Sequence, residues 1–123
     1  MDSDILFFFD GKPEELALYE ALLAALANPG EVKAEAHRTQ ISLRNRKVFA
    51  CVSFLRPLRK AQLPEHYVTL TLGLPYPLVS PRIAAVTEAQ KRRWTHHIVL
   101  SSPSELDDEL LGWLREAWEF GGR

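Results

Sequence analysis

Between Thr39 and Leu55 apolar and polar residues alternate on either side of a polar pair, Asn45-Arg46, and no other feature restricts the fold as much. If that pair forms a two-residue turn, Leu43 lies opposite Val48 and Ile41 opposite Ala50, so the apolar side chains of both arms share one face. Ser42 then faces Phe49, Gln40 faces Cys51 and Arg44 faces Lys47 on the other face. Arg46 suits a left-handed turn position poorly, which leaves room for a slightly longer loop. A hairpin of this kind has to be covered on its apolar face by a second layer.

Two stretches supply the cover. Pro13 to Asn28 reads as a helix, because Leu16, Tyr19, Leu23 and Leu26 recur at helical spacing with Leu18, Leu22 and Ala25 broadening the stripe. Pro13 suits the first helical position, Glu14 and Glu15 favour the positive end of the dipole, and Asn28, Pro29 and Gly30 supply a stop. Near the other end, Ser102, Pro103 and Glu105 make an S-x-x-E capping box. Leu106, Leu110, Trp113, Leu114 and Ala117 form the stripe behind it, with Asp107, Asp108 and Glu109 satisfying the dipole and Gly121-Gly122 ending the helix. Leu110 and Trp113 are the expected core anchors. Phe7, Phe8 and Phe9 are expected to pack under the first helix.

The whole stretch from Val32 to Leu55 reads as strands, with Thr39 to Leu55 its clearest part, and the remaining segments complete a sheet. Arg56 to Glu65 is a basic loop holding Pro57 and Pro64, Tyr67 to Leu72 has strand alternation, and Gly73, Pro75, Pro77 and Pro81 turn it into a long loop. Thr87 with Gln90 could cap one short helical turn, and Trp94 to Leu100 reads as a last strand. The fold expected is α+β: an antiparallel sheet of about four to five strands, with an N-terminal and a C-terminal helix packed on one face. A length of 123 residues suits one domain, 1–123, and no repeat or linker divides it.

Hydrophobic residues at 46% and charged residues at 25% argue against disorder, and no stretch approaches the ~20 apolar residues of a membrane span. One cysteine, Cys51, and acidic residues ahead of the apolar run Ile5 to Phe9 lead to the expectation of a cytoplasmic protein away from membranes. The net charge of −1 conceals an uneven distribution. From Arg38 to Arg93 eleven basic residues face two acidic ones, Glu65 and Glu88, a net of +9, while the two ends together carry −10. Such asymmetry fits an anion-binding face, or two acidic helices lying beside a basic sheet.

No chemistry-bearing motif stands out. His96 and His97 are neighbours in a strand and point to opposite faces, so they do not share a metal, and one of them is expected beside the core with its ring hydrogen-bonded. Metal and cofactor are both expected to be absent, since H-E-x-x-H, paired cysteines, G-x-G-x-x-G and the Walker pattern are all missing. Cys51 and the serines lack a nucleophile elbow or an evident base, and Asp107, Asp108 and Glu109 spread around a helix rather than pairing. What remains is the polar face of the hairpin: Gln40, Ser42 and Arg44, with Arg46 and Lys47 at the turn. Guanidinium forks beside short polar side chains suit a phosphate or carboxylate. Lys91-Arg92-Arg93-Trp94 adds the mixture of charge and aromatic that single-stranded nucleic acid uses.

Three blocks, Phe8 to Glu20 (FFDGKPEELALYE), Thr39 to Ala50 (TQISLRNRKVFA) and Trp94 to Leu114 (WTHHIVLSSPSELDDELLGWL), together resemble a bacterial and archaeal family known as domain of unknown function 5655. There is a looser similarity to YdhG-type domains. The resemblance implies a compact α+β domain, alone or appended to others, some of them nuclease-related, and no established activity. Thr39, Gln40, Arg44 and Arg46, with Arg93 and His97 nearby, are the positions at which a family site would fall. The expected role is that of a non-catalytic binding or accessory module whose candidate residues are Gln40, Ser42, Arg44, Arg46, Arg93 and His97. Its expected partner is a phosphate-bearing ligand or nucleic acid; the alternatives are a small enzyme or a protein-interaction domain. The oligomeric state is not indicated.

Overall fold

The computed structural model describes residues 2–26 and 30–123. Six strands make one antiparallel sheet: β1 (Lys33–Ala36), β2 (Gln40–Arg44), β3 (Val48–Ser53), β4 (Val68–Leu74), β5 (Ala85–Gln90) and β6 (Arg93–Leu100), in the order β1-β2-β3-β4-β6-β5. Among the described residues three α-helices accompany them, α1 (Ser3–Phe8), α2 (Pro13–Leu26) and α3 (Asp108–Gly121). The α+β class and the helices at both ends agree with the sequence, but the sheet has six strands instead of four to five. The two edge strands carry the faintest signal, β1 inside the stretch from Val32 that reads as strands and β5 where a helical turn is expected, and the reason is physical. β1 is Lys-Ala-Glu-Ala, with only alanine on its inner side, and β5 is exposed along nearly its whole length, so neither carries the apolar alternation that burial imposes. The helical turn expected around Thr87 and Gln90 lies inside β5. Among the described residues, no helix is long and apolar enough to cross a membrane.

The central hairpin keeps its faces and changes its register. Ile41 pairs with Val52, Leu43 with Ala50, Ser42 with Cys51 and Gln40 with Ser53, two residues beyond the pairing expected for a two-residue turn. A shift of two preserves which side chains share a face. The cause is a longer turn, in which Asn45 N–H donates to Lys47 O, together with a bulge between Leu43 and Arg44 that leaves Phe49 as the extra residue. The turn also finishes α3: the Asn45 side-chain amide donates to Trp118 O and Lys47 N–H donates to Gly121 O, satisfying two carbonyls at the helix end. Gly121 permits that approach, since a Cβ there would lie 2.8 Å from Phe49 Cβ.

Ile41, Leu43, Ala50, Val52, Leu70, Leu72, Ile98 and Leu100 form one apolar sheet face and pack with Leu18, Tyr19, Leu22 and Leu26 of α2 and with Leu110, Leu114 and Ala117 of α3. The two helix stripes are rotated slightly from expectation. In α2 the fully inward side includes Leu18 and Leu22, while Leu16 and Leu23 are half-buried. In α3, Trp113 is likewise half-buried and lies under the Arg82 guanidinium. The S-x-x-E box exists, but it opens a 3-10 turn at Pro103–Glu105, and α3 starts later with Asp107 accepting from Leu110 N–H. Of the phenylalanine run, Phe9 is buried and Phe8 stacks on Phe54, whereas Phe7 is 79% exposed. Asn28 and Pro29, read as the stop of the first helix, lie outside the described residues.

His96 is the histidine on the core face and is fully buried. Leu78 N–H donates to its Nε2 at 2.9 Å, which anchors the proline-rich loop after β4 and fixes a neutral ring. Burial lowers its proton affinity below the usual 6.5, against weaker opposing hydrogen bonds to backbone. A base whose folded pKa is depressed stabilises the fold fully above its unfolded pKa and loses that contribution as pH falls below it. The unfolding free energy is therefore expected to be flat above pH ~7 and to decline between about pH 6.5 and 5, by at most about 1.4 kcal/mol per pH unit from this ring. Urea unfolding at pH 7.5 and 5.5 checks this, with His96→Gln expected to lessen the decline and to leave the part due to His97, whose proton affinity burial also lowers. Equal stability at the two values would contradict it.

Candidate ligand face

The sheet face that carries no helix is polar. Alternation places Glu35, Ser42, Cys51, Thr71, His97 and Ala85 in one row that crosses all six strands, each paired with its neighbour in the ladder. A parallel row of Gln40, Ser53, Thr69 and Val99 lies beside it. At the far end Lys33 sits directly opposite Arg44. The basic loop after β3 borders the second row: Thr69 Oγ1 donates to Leu55 O at 2.6 Å and the Tyr67 hydroxyl donates to Phe54 O. Between that loop and the sheet is a depression of about 480 Å3 lined by Thr39, Gln40, Ser53, Leu55, Thr71 and His97.

The electrostatics divide the face into a neutral and a cationic end. His97 Nδ1 is 2.9 Å from Thr71 Oγ1, and burial lowers its proton affinity, so at neutral pH the ring offers hydrogen bonds without charge. Burial pushes the Cys51 thiol up, outweighing the hydrogen bond from Ser42. Cys51 and His97 are separated by β4, a gap of about 10 Å between strand axes, so they do not form a thiolate–imidazole pair. The cationic end consists of Arg44 and Lys33, both exposed, and Arg93. The Arg93 side chain crosses the sheet over Gly73, where the missing Cβ leaves it room, and its Nη2 donates to Val48 O at 3.2 Å. Glu35 is an acid on this face and shares a recess with Lys33, Ser42 and Arg44, while its carboxylate lies 3.9 Å from His37 Nε2.

Of the six residues singled out in the sequence, Gln40, Ser42, Arg44, Arg93 and His97 share this face. Arg46 is exposed in the hairpin turn, between the two groups that cap α3, where a cation also suits the negative end of that helix. Sequence reasoning missed Lys33, Ser53 and Thr71. Lys33 joins Arg44 only through the pairing of a four-residue edge strand, and Thr71 meets His97 only through β4–β6 pairing across 26 residues. The signal for Thr71 was its place on the polar side of an alternating strand. A family model described as Domain of unknown function (DUF5655) matches residues 7–121. No curated protein and no solved structure matches the chain.

Proposed function

The chain belongs to the family described as Domain of unknown function (DUF5655), and we propose that this domain is a non-catalytic binding module whose helix-free sheet face takes a phosphate-bearing anion. The observation that carries this reading is the convergence of Gln40, Ser42, Arg44, Arg93 and His97, from two strands distant in sequence, on one face with Lys33 added beside Arg44. Arg44 and Lys33 are exposed and make no ion pair within 4.0 Å among the described residues, so their donors are free for an anion. Gln40 and Arg44 are four residues apart on one strand, about 13 Å, a span that suits a phosphate at the cationic end and a hydrogen-bonding group at the Thr71–His97 end. A nucleotide has both parts, and so does a short stretch of nucleic acid. Binding fits better than catalysis because the thiol is pushed toward its protonated form and, among the described residues, His97 is kept from it by β4.

The test is a titration of the 15N-labelled chain with inorganic phosphate, a nucleoside monophosphate and a short single-stranded oligonucleotide. Amides of Lys33, Ser42 and Arg44 are expected to shift with all three, and those of Thr71 and His97 with the two larger ligands. Perturbations confined to α3 or to the loop after β4, or none at millimolar ligand, would end this reading.

A further inference from the structure

The start of α2 meets the basic loop at a cluster that shares no residue with the ligand face. Glu15 lies in the first turn of α2, yet it is only 5% exposed, and the one basic group within 4.0 Å of its carboxylate among the described residues is the His66 ring. His66 Nδ1 is 3.2 Å from Glu15 Oε2 and 3.8 Å from Glu14 Oε2. One donor atom from each of the three side chains lies within 4.8 Å of the others. A carboxylate taken this far out of water is stabilised here by the positive end of α2 and by the His66 ring, and a bound cation would add the full counter-charge that neither of these supplies.

We propose that Glu14, Glu15 and His66 form a three-ligand site for a divalent transition-metal ion of the zinc class. The separations suit it: ligands about 2.0–2.2 Å from a tetrahedral zinc stand about 3.4 Å apart, between the two distances His66 makes. An imidazole with two carboxylates is a borderline donor set, which zinc accepts and which magnesium and calcium, with their all-oxygen shells, do not favour. His66 Nε2, the nitrogen that would not ligate, faces Glu65 Oε1 at 3.9 Å, the side from which a carboxylate orients a metal-bound ring. Three protein ligands leave a fourth position open. Glu15 also borders a recess lined by Lys12, Arg56 and Lys60 together with Glu65, so an ion held on that side would meet a mainly cationic wall that favours an anionic fourth ligand. The ion would tie α2 to the loop between β3 and β4, two segments 51 residues apart.

Zinc added to the purified chain in a non-coordinating buffer, followed by calorimetry and by thermal unfolding, tests the site. One equivalent is expected to bind, and at zinc about 100-fold above Kd the unfolding temperature should rise by several degrees. His66→Ala and Glu14→Gln alter exposed side chains, so both variants are expected to fold, and each should weaken zinc binding at least tenfold. His37→Ala should leave binding unchanged, and magnesium should produce no shift. The proposal is overturned if zinc gives neither heat nor thermal shift, or if His66→Ala and Glu14→Gln bind zinc as tightly as the parent.

Discussion

Leu114→Ala is expected to lower the unfolding free energy by about 2–5 kcal/mol, the range for emptying a fully buried leucine site. Leu114 has no exposed surface and belongs to the cluster formed by α2, α3 and the apolar sheet face, so the cavity has no solvent side from which to fill. Trp113→Ala should cost less than the roughly 3–5 kcal/mol of a buried tryptophan, because Trp113 sits at the rim of α3 and part of its contact is with the Arg82 guanidinium. Arg82 is itself held by Asp107 at 2.8 Å and Glu109 at 3.1 Å, which keeps it over the ring and holds the Asp107 carboxyl below the usual range. Urea midpoints for the two variants check the order. A Trp113→Ala variant less stable than Leu114→Ala would mean that α3 is rotated from the orientation described.

That order also shows how far the sequence could be read. Apolar spacing located α3 and its inward side to within one position, but Trp113 and Leu114 are neighbours on the same stripe, and only the packing of α2 and β4 decides which of them is central. The hairpin faces were legible because alternation has period two, so a turn longer than expected moved the register by two and left Ile41, Leu43, Ala50 and Val52 inward. The bulge at Phe49 was not legible, since it depends on Gly121 and Lys47 meeting at the end of α3. His96 and His97 were correctly placed on opposite faces by strand geometry alone. The candidate face was visible as Gln40, Ser42 and Arg44, whereas Lys33 and Thr71 join it through pairings that propensity does not encode. The cluster of Glu14, Glu15 and His66 has no local spacing at all, because its members meet only when α2 and the basic loop pack together.

The second large effect concerns ligand binding. Lys33→Ala combined with Arg44→Ala removes two exposed cations from adjacent strands, and it is expected to weaken binding of short single-stranded DNA or RNA at least tenfold while leaving the unfolding temperature nearly unchanged. Neither side chain is buried, so little packing is lost with them. Arg46→Ala should weaken binding less, because Arg46 sits in the turn that caps α3 instead of on the face. The most direct measurement is the salt dependence of that binding, followed by fluorescence anisotropy between about 50 and 200 mM salt. Each phosphate neutralised contributes roughly −0.7 to the slope of log K against log salt for a single strand, so Lys33, Arg44 and Arg93 together give a slope near −2 in the parent. The double variant should then retain a slope of about −0.7. Salt-insensitive binding by the parent, or an unchanged slope in the double variant, would contradict an anion-binding role for the sheet face.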